Sequence, residues 1–136
     1  MKKLYVNAPM RGRKKEEIEK TVAKMKTIAE AYEGEELELL NGPVLEEGPQ
    51  SNRERINWLL ADLLLLADAD VFIGCFDWET EQIFRGVDFM NEAAQRLKGG
   101  EMRFIKITGE DVCDDWSEAV KKIEEMKRDT CCDAAE

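Results

Sequence analysis

The chain has 136 residues, 43% hydrophobic and 37% charged, which fits one globular domain with an ordinary core and excludes a disordered chain. Its net charge of −10 repels phosphate backbones, so DNA or RNA is set aside as the main partner. There is no histidine, which excludes histidine triads and histidine general bases and leaves carboxylates, Tyr, Lys or Cys for any chemistry.

Cys75, Cys113, Cys131 and Cys132 form no CxxC pair, and without histidine they do not suit a zinc site. Free thiols in a reducing cytosol are the plain expectation, with no metal and no other cofactor. The apolar run in Met1 to Val6 is too short for a signal peptide, and the longest apolar stretch, Leu63 to Ala67, is too short to span a bilayer. A cytoplasmic protein with no membrane partner is therefore expected.

In chain order, Leu4 to Val6 opens a first strand. The loop from Asn7 to Arg13 follows, punctuated by Pro9 and Gly12. Lys14 to Glu33 reads as a helix, with Ile18, Val22, Met25, Ala29 and Tyr32 on one face and Gly34 as its stop. Glu36 to Leu40 is a half-buried strand. Residues 41–51 form a loop, and Ser51 or Asn52 caps a helix with Ile56, Leu59, Leu60, Leu63, Leu64 and Ala67 on a wide apolar face. Val71 to Phe76 is continuously apolar, as in a central parallel strand buried on both faces.

Asp77 to Thr80 is the next loop. A helix runs from about Glu81 to Lys98, with Ile83, Val87, Met90, Ala94 and Leu97 towards the core and Gly99-Gly100 as its stop. Met102 to Ile107 is a fourth strand. Trp116, Val120, Ile123 and Met126 mark a last amphipathic helix. The ordered domain is expected over residues 1–128, with 129–136 a disordered tail. Strict alternation of strand and helix predicts an α/β fold: a single-domain flavodoxin/Rossmann-like parallel sheet of about four to five strands with helices on both faces.

Ligands of open α/β sheets lie beyond the carboxyl ends of the strands, where strand order reverses. Residues 7–13, 41–52 and 77–80 emerge there. The first loop has Arg11 and Arg13 and leads into a helix N-terminus, which suits a phosphate or a ribose. The local pattern alone fits an ordinary turn with solvated arginines at least as well. Asp77 would hydrogen-bond a sugar and Trp78 stack a base; alternatively Asp77 caps the next helix and Trp78 covers the core edge. On the third helix, Arg85, Asp88 and Glu92 share a face, either an ion-paired solvent face or a carboxylate aimed at a ligand.

Lys3 to Gly12, a strand ending in Asn-Ala-Pro-Met-Arg-Gly, resembles the opening of nucleoside 2-deoxyribosyltransferase-like proteins. Ala69-Asp70-Val71 with the apolar strand and Trp78, and Arg85-Gly86 followed by Ala94 and Leu97, resemble two further segments of that family. The likeness spans roughly residues 2–107 and is to small members, many of them encoded by phage or mobile elements. It implies a nucleoside or nucleotide ligand against Asn7, Ala8, Pro9, Met10, Arg11, Gly12, Trp78, Arg85 and Gly86. It also implies a carboxylate nucleophile that attacks the anomeric carbon and holds the sugar as an ester until another base or water takes it.

The family places that glutamate four residues after the glycine, where this chain has Met90. Glu92 lies two residues on, about 200° around the helix. Glu92 and Asp88 are the remaining nucleophile candidates, with Asp77 to orient the sugar or protonate the base. Two other readings stand beside the enzyme. One is a nucleotide-binding or sequestering protein without catalysis. The other is an interaction module, a homodimer or larger homo-oligomer built on the exposed helices.

Overall fold

A computed structural model of the chain describes residues 1–45, 47–77, 80, 85–97 and 102–134, the side chains of 85 and 127–134 excepted. The elements are β1 (Lys3–Asn7), α1 (Lys15–Glu33), β2 (Glu38–Leu39), α2 (Asn52–Ala67), β3 (Val71–Cys75), α3 (Arg85–Leu97), β4 (Arg103–Ile107), α4 (Gly109–Val112) and α5 (Trp116–Ala134). The backbone stays helical past residue 128, where the ordered domain was expected to end.

The four strands form one parallel sheet in the order β2-β1-β3-β4. Side chains alternate across it. One face carries Leu4, Val6, Ile73 and Ile105 into a core with Met25 and Ala29 of α1 and Ala119 and Ile123 of α5. The other carries Tyr5, Phe72 and Phe104 into a core with Leu66 of α2 and Met90 and Ala94 of α3. These three rings are cross-strand neighbours, Tyr5 opposite Phe72 and Phe72 opposite Phe104. They stack with centroids 5.8 and 4.9 Å apart, an aromatic row across three strands.

Gly34 ends α1 in the left-handed conformation, φ 70°, and its N–H returns to the Glu30 carbonyl. Ser51 caps α2, its hydroxyl accepting from the Glu54 N–H at 3.1 Å. The second strand is shorter than expected because a side chain takes over from its backbone. Beyond Leu39, the Asn41 amide accepts from the Val6 N–H and donates to the Val6 carbonyl, both at 2.8 Å. The edge of β1 thus stays satisfied without further pairing.

Several expected core positions are corrected. Tyr32, in the last turn of α1, is exposed, as is Leu97 at the end of α3; each lies where its helix runs out. In α2 the exposed members of the expected apolar face are Ile56, Leu60, Leu64 and Ala67. Leu63, as expected, packs on the core with Leu65 and Leu66, Leu59 and Asp62 are half-buried, and only Leu66 is fully buried. Ile83 lies outside the described residues.

α3 can lie close to β3 because Gly74 has no side chain. A Cβ there would stand 2.5 Å from Asn91 Oδ1 of α3 and 2.8 Å from the Phe72 ring. Gly74→Ala should therefore destabilise the protein by about 1–3 kcal/mol through overpacking. Urea denaturation measures this, and an unchanged midpoint would contradict the close approach.

Candidate functional site

The chain leaves β1 to build β2 on one side and then returns to build β3 on the other. Strand order therefore reverses between β1 and β3, and Asn7, the last residue of β1, is the register partner of Gly74, one residue before the end of β3. Of the three loops expected at the ligand edge, those that leave β1 and β3 border this point.

The first loop is fixed from beneath. Ala8 and Pro9 are buried. The Arg13 N–H bonds the Met10 carbonyl at 3.1 Å across a turn whose third residue, Gly12, has φ 74°, the geometry of a type II turn. A Cβ on Gly12 would also meet Ile123 Cδ1 at 2.8 Å.

The Arg13 side chain is wholly buried, which corrects its reading as a solvated arginine. Its guanidinium donates to both carboxylate oxygens of Asp115 at 2.6–3.2 Å. It also donates to the Pro9 carbonyl at 2.7 Å, to Thr21 Oγ1 at 2.7 Å and to the Glu17 carbonyl at 3.3 Å. One cation thus ties the β1 loop to α1 and to the start of α5. Burial opposes ionisation of Asp115. The hydrogen bonds and charge of Arg13 outweigh it and hold the carboxyl below the usual carboxylate range.

Asn7 is also committed to the fold. Its Nδ2 donates to the Val87 carbonyl at 2.9 Å and to Asn91 Oδ1 at 2.7 Å, while Asn91 Nδ2 donates to the Cys75 carbonyl at 2.8 Å. This buried amide pair joins the ends of β1 and β3 to α3. Asn91 was missed by the sequence reading, though a signal existed. With Val87, Met90 and Ala94 it completes the i, i+3, i+4, i+7 set that faces the core, and it is the one polar member.

Asp77 serves as a tie between loops: its Oδ1 accepts from Thr80 Oγ1 and, at 3.1 Å, from the Gly109 N–H at the start of α4. Asp88 and Glu92 are both exposed, and Glu92 pairs with Arg96 at 3.0 Å one turn on. Met90 is buried, 3% exposed, among the aromatic row. Gly86 is exposed with open space where a Cβ would stand. Trp78 and the Arg85 side chain lie outside the described residues.

What remains open to a ligand is Met10, 45% exposed, and Arg11, which makes no hydrogen bond or ion pair among the described residues. Lys14, the N-cap of α1, is exposed and makes no side-chain cap, leaving first-turn N–H groups without one. Nucleophilic sulfur is not offered here. Burial pushes the Cys75 and Cys113 thiols up, out of reach at neutral pH.

Among the described residues no group of three or more His, Cys, Asp or Glu could hold a metal ion, and no helix is long and apolar enough to cross a membrane. No protein-family model, no curated protein and no solved structure matches the chain.

Asp115→Ala leaves the buried Arg13 charge unpaired and should cost about 3 kcal/mol at pH 7. A carboxyl held low in the folded state contributes fully above its unfolded value and loses that contribution as pH falls through the folded one. The stability gap between wild type and variant should therefore close below about pH 4. Denaturation at a series of pH values checks this; equal stability at pH 7 would show that Arg13 does not need its carboxylate.

Proposed function

We propose that this chain binds a nucleoside or nucleotide, of the kind handled by nucleoside 2-deoxyribosyltransferase-like proteins, beyond the carboxyl ends of β1 and β3. We further propose that it does so without their carboxylate-nucleophile chemistry. The observation that carries the binding half is the β1 loop. Ala8, Pro9, Gly12 and Arg13 are fastened to the fold, while Arg11 itself and the uncapped start of α1 face solvent where strand order reverses. A cation beside free helix N–H groups favours a phosphate.

The position of Met90 supports the second half. A buried thioether cannot attack an anomeric carbon. Glu92, the nearest glutamate on α3, is turned to solvent and engaged with Arg96. Asp77 is already accepting two hydrogen bonds. The chain would then hold or sequester its ligand rather than cleave the glycosidic bond.

Titration calorimetry with a panel of deoxynucleosides and their 5′-monophosphates tests the binding. Arg11→Ala should weaken monophosphates by about tenfold, the lower end of a hydrogen bond to a charged group, and leave nucleosides unchanged. Equal loss for both would remove the phosphate role, and no binding across the panel would end the reading. Incubation with a 2-fluorinated deoxynucleoside followed by mass spectrometry tests the chemistry. An unmodified chain is expected, and a sugar adduct on Glu92 or Asp88 would restore the enzyme.

A further inference from the structure

α2 is placed in an unusual way for a helix on the outside of a domain. Such helices turn a polar stripe to water and an apolar one inward. Here the outward stripe is Ile56, Leu60 and Leu64, which are 56%, 54% and 72% exposed, while Asp62 is turned inward and half-buried. A helix apolar on nearly all sides is one that is covered on both. Phe89 of α3, in the same helical layer, is also exposed.

We propose that this surface is covered by a second copy of the chain, with the two α2 helices packed antiparallel across a two-fold axis at Leu60. Charge argues for self-association. The chain carries −10, so two copies repel over most of their surface. Within α2 the charges cancel, Arg53 and Arg55 against Glu54 and Asp62. The two arginines outnumber Glu54 at its start, and Asp62 and the C-cap Asp68 lie towards its end.

A two-fold at Leu60 sets Ile56 of one copy against Leu64 of the other. It brings Arg53 of each within one residue of the level of Asp68 of the other, so the apolar stripe is closed at both ends by opposite charges. A parallel arrangement would oppose like charges instead. The 16-residue helix is about 24 Å long. With the flank of α3 it offers room for a patch of roughly 800 Å² per copy, the standard interface size.

Sedimentation equilibrium over roughly 1–100 μM, where interfaces of this size begin to dissociate, reads the association. Wild type should dimerise and Leu60→Glu should be monomeric, with unchanged circular dichroism because the site is exposed. Arg53→Asp and Asp68→Arg should each weaken the dimer roughly tenfold, since each breaks two symmetry-related pairs. The double substitution should restore it, which a merely structural role would not do.

In a Cys131→Ser/Cys132→Ser background, Leu60→Cys should form a disulfide-linked dimer under mild oxidation, because a residue on the axis meets itself. A wild type that stays monomeric, a Leu60→Glu dimer, or a double substitution without rescue would each overturn the proposal. So would a monomer that instead binds phosphatidylglycerol vesicles, which would give the stripe to a membrane surface.

Discussion

The buried Arg13 guanidinium makes the heaviest demand on this fold. A cation in such a place costs several kcal/mol unless every direction is answered. The answers come from three places: Asp115 before α5, Thr21 and the Glu17 carbonyl in α1, and the Pro9 carbonyl in its own loop. Arg13 and Asp115 are 102 residues apart, so the pair forms only once the chain from β1 to α5 has come together. The turn at Gly12, the contact with Ile123 and the display of Arg11 are all set by that meeting. The candidate site is thus a by-product of a structural clasp, and Arg11 is presented by a loop that cannot easily rearrange.

Much of the fold was legible because it rests on local chemistry. Gly34 stops a helix, Ser51 starts one, and the run Val71 to Phe76 needs cover on both sides, so it lies inside a sheet. Periodicity could not say which side of α2 meets the sheet, because leucines occupy nearly the whole circumference; tertiary packing chose Leu66 and left Leu60 outside. The length of β2 was equally hidden, since Asn41 imitates a strand residue with its side chain, and no pattern announces such a substitution.

The candidate site was legible in place and less so in parts. Alternation alone pointed to the carboxyl ends of the strands and to three loops there, and the strand order of the sheet narrowed these to the ones that leave β1 and β3. The individual side chains were misjudged where a polar group serves the fold. Asn7 joins Asn91, Asp77 joins two loops, and Arg13 is sealed by Asp115. Nothing in a single sequence separates an amide that ties two elements from one that waits for a ligand. At Met90 the sequence was the better guide, since burial among aromatic rings is what a thioether at that helix position leads one to expect.

The two outer strands have a consequence for aggregation. An open sheet offers unpaired backbone at each margin, a template for edge-to-edge growth into fibrils. Here β2 is two residues long and its neighbour's remaining groups are held by Asn41. On β4, Arg103 and Lys106 stand exposed, and the Lys106 ammonium sits 5.1 Å from the Phe76 ring centre, over its face. A strand arriving from another molecule would find little to pair with on one side and two positive charges to desolvate on the other. The sheet is blunted at both margins, which protects it from growth through its strands.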